Sequence, residues 1–455
     1  METLLELLNT ISGLVWGPYV LIPLLVGAGI FISIRLKFVQ LLGLRHALQL
    51  ISGKYDKPDD TGEITHFQAL AAALSATIGT GNIAGVATAI ASGGPGAVFW
   101  MWVTAFFGMS LKFASCTLAV KYRHENPDGT ISGGPMHFIS IGLGQKWLGW
   151  LFAFFAMIAS FGIGNMVQAN SVAAPLFDNY AIPKAVTGIV LAVLTALVII
   201  GGIRRIAQVA SRIVPFMTVI YLLGAVAILI LFVDKIPAAF ALIFESAFTG
   251  QSAAGSVLGY TVAQAMRFGI ARGVFSNESG LGSAPIAHAA ARTEEPVREG
   301  LVAMLGPLLD TLIICSMTAL VILVTGAWRS GETGATLTSN AFSMALPGAG
   351  QWALGKMIVS FGLVFFAFST LISWSYYGDR STEFIFGAKS VMVYRFVYVL
   401  LIPVGALIKL DVVWLFSDIT NGLMALPNLI GVVLLSGTVA KLTKDYFARD
   451  HSPLR

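Results

Sequence analysis

Two short runs of small and polar residues interrupt long apolar stretches of this 455-residue chain. One reads Ser75-Ala76-Thr77-Ile78-Gly79-Thr80-Gly81-Asn82-Ile83-Ala84-Gly85, the other Phe275-Ser276-Asn277-Glu278-Ser279-Gly280-Leu281-Gly282-Ser283-Ala284-Pro285. Their residue types suit binding an ion or a zwitterion. An unwound turn frees backbone N–H groups, which suit a carboxylate, and C=O groups, which suit a cation. Thr77, Thr80 and Asn82 add neutral oxygens to the first run, and Ser276 and Asn277 add them to the second. Irregular backbone in lipid survives only where it is buried in protein or lines a cavity. Small residues also serve close helix packing. Two such breaks at matching places in two halves of a chain favour a transport site over packing alone.

Other in-membrane polar residues join the candidates. Glu278 is an ionisable group near mid-membrane, functional or structurally paired, with Arg272 six residues earlier as one partner. Asn165 and Gln168 lie one turn apart, with Asn170 beyond, and the Gln168 amide either lines a cavity or holds helices together. Thr370, Ser373 and Trp374 share one helix face, where hydroxyl oxygens suit Na⁺ and the indole walls a small apolar pocket; back-bonding to the helix is the plainer role. Asp310 and Asp418 serve a proton path or a structural network, with the network favoured. His66 and His288 are not spaced as metal ligands. The stripe Phe99-Trp100-Met101-Trp102 taken alone reads as an interfacial aromatic belt.

The elements that position these residues follow from composition. The chain is 56% hydrophobic and 11% charged, against about 25% charged in a soluble chain. Its mean hydropathy is +0.81. A polytopic, all-α membrane protein in a lipid bilayer is expected, and the net charge of +5 does not signal nucleic acid. Cys116 and Cys315 fall inside apolar spans, as small buried hydrophobes. The first span has an acidic start and no basic leader, so it reads as retained. Apolar stretches predict eleven spans near 15–34, 66–92, 95–121, 148–175, 184–202, 213–233, 255–291 (broken), 300–327, 351–377, 390–408 and 413–440. With the N-terminus outside and the C-terminus inside, 20 of the 28 Lys and Arg residues fall on inside segments and 4 on outside ones. A single miscounted span would reverse the later loops and spoil that asymmetry. The organisation predicted is an extra N-terminal helix and connector (1–65), a five-helix repeat (66–233), a second five-helix repeat of opposite orientation (234–443) and a cytoplasmic tail (444–455). Each repeat opens with a broken helix.

The segment Gly93-Gly94-Pro95-Gly96-Ala97-Val98-Phe99-Trp100-Met101-Trp102-Val103-Thr104-Ala105-Phe106-Phe107-Gly108 resembles the signature of the alanine or glycine:cation symporter family, also called sodium:alanine symporters. The block Phe275 to Ser283 is similar to a second recurrent block of that family, and the resemblance covers essentially the whole chain. It implies a LeuT-type 5+5 inverted repeat of the amino acid–polyamine–organocation superfamily. It also implies symport of a small neutral amino acid, alanine or glycine, with Na⁺ as the coupling ion and no further cofactor, across the plasma membrane. By the same register, backbone N–H groups of Gly79, Thr80 and Gly81 would meet the substrate carboxylate. Carbonyls around Phe275, Ser276 and Asn277 would meet its amino group, with Gly280 in the same broken segment. Carbonyls of Ser75 and Ile78 would share Na⁺ with hydroxyls of Ser369 and Thr370; Thr370 with Ser373 is another register. Thr77 and Asn82 would face a second Na⁺ where one exists. Proton-coupled relatives often carry a Lys in the fifth repeat helix, and span 213–233 has no charge before its end.

Three rivals are weighed against Na⁺ symport. A proton-coupled symporter or exchanger would use the same fold. An intramembrane enzyme using Glu278, Asp310 or His288 lacks a recognisable nucleophile and base. A channel suits a continuous pore better than two inverted breaks. Trp374 and its phenylalanine neighbours predict a pocket for alanine or glycine, not leucine.

Overall fold

The computed structural model describes residues 2–17, 20–57, 59–127, 129–249, 261–348, 350–408 and 410–451. The start of the expected seventh span (255–260), Lys409 and Arg455 lie outside them. Among the described residues, seven helices are long and apolar enough to cross a membrane. The pair His66–Thr77 and Gly81–Gly93, bent by 52°, makes an eighth; Leu21–Arg35 and Lys184–Ile199 are shorter apolar helices. The second interrupted helix runs Val262–Asn277, passes through an irregular turn and resumes at Ala284–His288.

Both interrupted helices begin with the same device. Thr65 accepts the Gln68 N–H while the Gln68 side chain takes the Thr65 N–H, and Thr261 with Gln264 repeats the arrangement. Such a box satisfies two of the donors a helix start leaves free, a stabilisation of about 1 kcal/mol. The break in the first helix falls at Ile78, which is extended, and Gly79, and a π-helical turn Gly81–Gly85 follows. The break in the second is a left-handed Glu278, then Gly280 and Gly282 at φ +85° and +92°, conformations in which glycine alone carries no Cβ penalty.

Packing sorts the helices into two groups. The two broken helices pack with Ala97–Lys121 and with the segment Pro296–Thr325. Lys146–Tyr180, Lys184–Ile199, Leu354–Phe386 and Ser390–Leu407 form the other group. Gly202–Leu231 lies against both His66–Thr77 and Leu354–Phe386. Arg35, Arg123, Lys146, Arg204 and Arg292 mark one end of the molecule, the basic face, where the first broken helix starts. The opposite face carries two further helices, Ile236–Thr249 and Gly334–Ala345.

Several sequence expectations shift here. Neither of those two surface helices is foreseen by hydropathy, since each is shorter than a span. Phe240, Phe244 and Phe248 of the first cover Phe99, Trp100 and Trp102, and Trp102 donates to Ser316. The aromatic stripe is therefore mostly an intramolecular contact. The span expected at 213–233 is the end of a helix, Gly202–Leu231, whose charged first turns hide its start. The last span ends at Leu434, and Ser436–Phe447 is a separate helix bearing Lys441 and Lys444. A separate helix, Glu2–Val15, precedes the first span.

Candidate functional site

The first break meets the long helix Leu354–Phe386 at residues the sequence singles out. Ser75 donates to the Ser369 carbonyl at 2.6 Å. In return the Ser369 and Thr370 hydroxyls lie 3.2 and 3.1 Å from the Ser75 carbonyl, and 2.8 and 3.0 Å from the Phe366 carbonyl. Hard oxygens from two helices thus converge, a donor type that suits a hard cation. Ile78 is fully buried beside them, its N–H bonded to the Leu74 carbonyl. Thr77 bonds back to Ala73 and Leu74, within its own helix. Gly79 lies directly against Thr370: a Cβ there would stand 2.6 Å from the hydroxyl oxygen and 3.5 Å from Gln168 Oε1. The backbone approaches this closely because the side chain is absent.

The polar residues of both breaks converge on one fully buried carboxylate, Asp310, in the π-helical stretch Leu308–Cys315. Asn82 Nδ2 donates to Asp310 Oδ1 at 2.6 Å and to its carbonyl at 3.2 Å. Ser276 donates to Oδ2 at 2.9 Å, and Thr311 donates to the same oxygen at 2.6 Å while accepting from Asn277 at 3.1 Å. On its other side the Asn82 amide oxygen accepts the Gly79 N–H at 2.9 Å. A Cβ on Gly81 would stand 3.0 Å from Ser276 Cα, so the two breaks touch. The sequence names Asp310 but leaves it outside the site. The available signal is a carboxylate inside a spanning helix, which is rare without a role.

The second break joins the two helix groups. Trp374 donates its indole N–H to Glu278 Oε1 at 2.8 Å, and Ser283 donates to Oε2 at 2.5 Å. Glu278 does not pair with Arg272. That arginine pairs with Asp418 at 2.8 Å and lies over both Phe275 and Trp414, which stack at 4.8 Å. The N–H groups that would continue Val262–Asn277 are diverted: Ser279 bonds to Asn277 Oδ1 and Leu281 to the Glu278 carbonyl. This leaves carbonyls of the last turn, Phe275 and Asn277, without those donors. Asn428 closes the loop by donating to the Gly280 carbonyl at 2.8 Å.

The amides expected in the third repeat helix divide by role. Asn165 donates to the Tyr398 carbonyl, and Asn170 to those of Gly405 and Ile408, so both tie helices together. Gln168 donates to Ile163, and its Oε1, buried beside Gly79, has no partner among the described residues. Thr80 Oγ1 and Ser373 Oγ are likewise buried and unpartnered among them. Unpaired buried acceptors and hydroxyls next to a broken helix are what a polar ligand would satisfy. Trp374 is seated on Gly164, where a Cβ would fall 2.2 Å from its own, and meets Tyr377 edge-on.

A cavity of about 1010 Å³ opens on the face opposite the basic one. Thr88, Ser171, Asn340 and Ser360 are among its lining residues, and Arg272, Trp414 and Asp418 belong to its wall. Cys116 and Cys315 are buried and free.

The sequence profile described as the sodium:alanine symporter family matches residues 1–453. The chain is similar to the sodium/alanine symporter AgcS of Methanococcus maripaludis, at 49% identity over 97% of each chain. It is also similar to the probable sodium/glutamine symporter GlnT of Bacillus subtilis, at 37% identity over 98% of this chain and 91% of the relative. Among solved structures, the crystal structure of MhsT in complex with L-phenylalanine superposes with a TM-score of 0.55 at 12% identity, covering 84% of this chain and 98% of the other. That likeness concerns the fold alone, which is LeuT-like.

Proposed function

The chain belongs to the sodium:alanine symporter family, and on that premise we propose that it takes up alanine and glycine with Na⁺ by alternating access. It is a multi-pass membrane transporter and not an enzyme. On our reading Leu21–Arg35, Lys184–Ile199 and the second broken helix also span, which gives eleven crossings. Residues 66–233 and 234–443 are then two inverted repeats in the plasma membrane. The basic face is cytoplasmic, by the positive-inside asymmetry.

The observation that carries this reading is the reciprocal bonding of Ser75 with Ser369 and Thr370. Na⁺ would take the Ser75 and Ile78 carbonyls and both hydroxyl oxygens, whose protons turn outward. The substrate carboxylate would meet N–H groups at Gly79, Thr80 and Gly81, beside Thr77 and Asn82. Its ammonium would meet the carbonyls of Phe275 and Asn277 left without their helical donors, with that of Ser276, beside Gly280, and Gln168 Oε1. Trp374, fixed by Glu278 and Gly164, limits the side chain to a small one. The relative GlnT carries glutamine in its name, so glutamine is the competitor to try first.

Uptake of labelled alanine into proteoliposomes tests this. An inward Na⁺ gradient should drive accumulation, and Thr370→Ala should raise the Na⁺ needed for half-maximal uptake by roughly tenfold, the equivalent of ~1.4 kcal/mol. Uptake unchanged without Na⁺ but abolished by an uncoupler would instead favour the proton-coupled reading, for which Asp310 and Glu278 are two of the buried carboxylates.

A further inference from the structure

The helix Leu21–Arg35 ends in a positively charged turn. From Leu21 to Tyr55 the chain has no Asp or Glu and four basic side chains, Arg35, Lys37, Arg45 and Lys54. The helix stops at two successive left-handed residues, Lys37 and Phe38, at φ +53° and +55°. Neither is glycine, so the turn is strained. Buried bonds hold it: the Phe38 N–H reaches the Ser33 carbonyl at 2.7 Å, and Gln40 donates to Ser33, which donates to Ser110. Lys37 and Phe38 are left exposed, as are Leu41 and Leu42 beyond them.

Arg35 reaches across to the other end of the chain. Its helix packs on Leu410–Leu434 and meets Ser436–Phe447. A Cβ on Gly437 would stand 3.4 Å from Arg35 Nη2. Lys441 lies one helical turn beyond Gly437, on the same side of that helix. All three residues are exposed. Among the described residues the ion pairs of Lys and Arg involve neither Arg35 nor Lys441, and Asp445, one turn past Lys441, does not pair with it. Beside the charges both helices turn apolar side chains outward. Arg35 lies over Phe31 at 5.6 Å, Ile34 is 63% exposed, and Ile430 and Leu434 are exposed on the facing helix.

We propose that this place binds one anionic phospholipid, its phosphate over Gly437 between Arg35 and Lys441 and its acyl chains along Ile34 and Leu434. The inference goes beyond symport and takes from that reading only the cytoplasmic placement of the basic face. The occupant follows from two chemistries set one above the other. A phosphate accepts from a guanidinium and an ammonium together. Phe31 lies four residues before Arg35, about 6 Å along the helix axis, where hydrocarbon begins below a headgroup. A molecule with an anionic head and an apolar tail matches both levels, and the cytoplasmic leaflet supplies such lipids. Gly437 has no side chain to hold the phosphate off. A zwitterionic headgroup brings its own ammonium toward the same two cations, which weakens it. Because Arg35 ends the extra N-terminal span and Lys441 sits on the C-terminal helix, one lipid would tie the two ends of the chain together.

The experiment is native mass spectrometry of the full chain from detergent micelles, titrated with dioleoylphosphatidylglycerol or dioleoylphosphatidylcholine, with Tm followed in parallel. The first phosphatidylglycerol should bind at least about tenfold more tightly than phosphatidylcholine, and Tm should rise with it. Arg35→Gln and Lys441→Gln should each weaken it about fivefold, the contribution of one cation beside an anionic headgroup, and leave phosphatidylcholine unchanged. Gly437→Leu, which fills the space over the backbone, should act in the same direction. Lys389→Gln removes an exposed lysine elsewhere and should change nothing. Equal affinity for the two lipids would overturn the proposal, and so would an equal loss in Lys389→Gln. A Tm rise with glycerol 3-phosphate alone would overturn it too, as the mark of a plain anion site. Should Arg35→Gln fail to fold, Lys441→Gln decides, and unchanged phosphatidylglycerol affinity there removes the site. Binding in micelles depends neither on Na⁺ nor on which leaflet the basic face meets. Its failure would therefore leave the symport reading standing, and failure of Na⁺-driven uptake would leave the lipid site standing.

Discussion

The two faces of the molecule are held by different kinds of bond around the broken helices. At the basic face backbone pairs with backbone. The N–H groups of Glu63 and Ile64 lie 2.8 and 3.3 Å from the Ala290 carbonyl, Arg292 donates to Ile64 at 2.7 Å and Thr293 to Thr61 at 3.1 Å. The Arg123 guanidinium donates to four carbonyls, those of Thr61, Ala289, Ala291 and Thr293, at 2.7 to 3.1 Å. Beneath it, the buried Glu299 accepts from Nδ1 of both His66 and His288. At the opposite face a cavity of about 1010 Å³ reaches in to one ion pair, Arg272–Asp418, and one aromatic stack, Phe275 on Trp414. Undoing the first closure strands many buried polar groups together, so it opens all at once or not at all. The second is a part-exposed pair and a stack, each worth about 1 kcal/mol. The basic closure also ties the half-helices of both breaks to each other, to Ala97–Lys121 through Arg123 and to the segment after Pro296 through Glu299. These four elements should move as one body.

Removing Arg123 tests the stronger end and should have the largest effect. Hydrogen bonds to a charged donor contribute about 1.5–3 kcal/mol each and do not add simply, so Arg123→Ala should cost about 3 kcal/mol or more. A lower Tm in nanodiscs checks this. Arg123→Lys should recover little, because one ammonium cannot reach four carbonyls in the planar spread of a guanidinium. An unchanged Tm in Arg123→Ala would erase the contrast between the two ends.

That contrast is only partly written in the sequence. The two breaks are legible because glycine, serine and asparagine gathered at mid-span have few uses in lipid besides close packing and ligand binding. Ser75, Ser369 and Thr370 could be named because the family register places them, and they do meet. Gln168 was legible as an amide in a span, but its separation from Asn165 and Asn170 depends on the π-helical turn Gly162–Met166, which no periodicity announces. Asp310 was visible as an intramembrane acid, yet its convergence with Asn82 and Ser276 is a long-range contact across 228 and 34 residues. The pairing of Ile64 with Ala291 is equally remote, between two connectors with no strand pattern. Arg272 has two acids in principle, and only packing chooses Asp418 over Glu278. The matching Thr65-x-x-Gln68 and Thr261-x-x-Gln264, which the sequence reading passes over, are the clearest local mark that the two broken helices are built alike.

The weaker end should respond less to the same treatment. Arg272 and Asp418 are 15% and 12% exposed at the cavity wall, so water already offsets part of their attraction. Asp418→Asn should therefore cost about 1 kcal/mol of stability. Its amide still accepts from Arg272, and the aromatic stack remains. The alanine KM should rise modestly while the Na⁺ dependence keeps its shape, because Asp418 touches neither Ser75 nor Asp310. A stability loss as large as that of Arg123→Ala would mean that both ends are closed equally firmly.

The smallest effect should be an acid sensitivity confined to the basic face. Burial, aided by His124 and Arg380, pushes His137 down to about 4. Its ring packs edge-on against Phe384 at 5.2 Å. An unfolded histidine titrates near 6.5, so between about 6.5 and 4 the unfolded chain binds a proton that the folded chain refuses. Stability is then complete above that window and lost as pH falls through it. Glu294, held low mainly by its hydrogen bond from Thr61, acts in the same direction in the carboxylate range. Tm measured against pH should tilt downward on the acid side, and His137→Gln should flatten the upper part of the tilt while leaving the lower part. A tilt left unchanged in His137→Gln would remove this ring as the source of the acid sensitivity at the basic face.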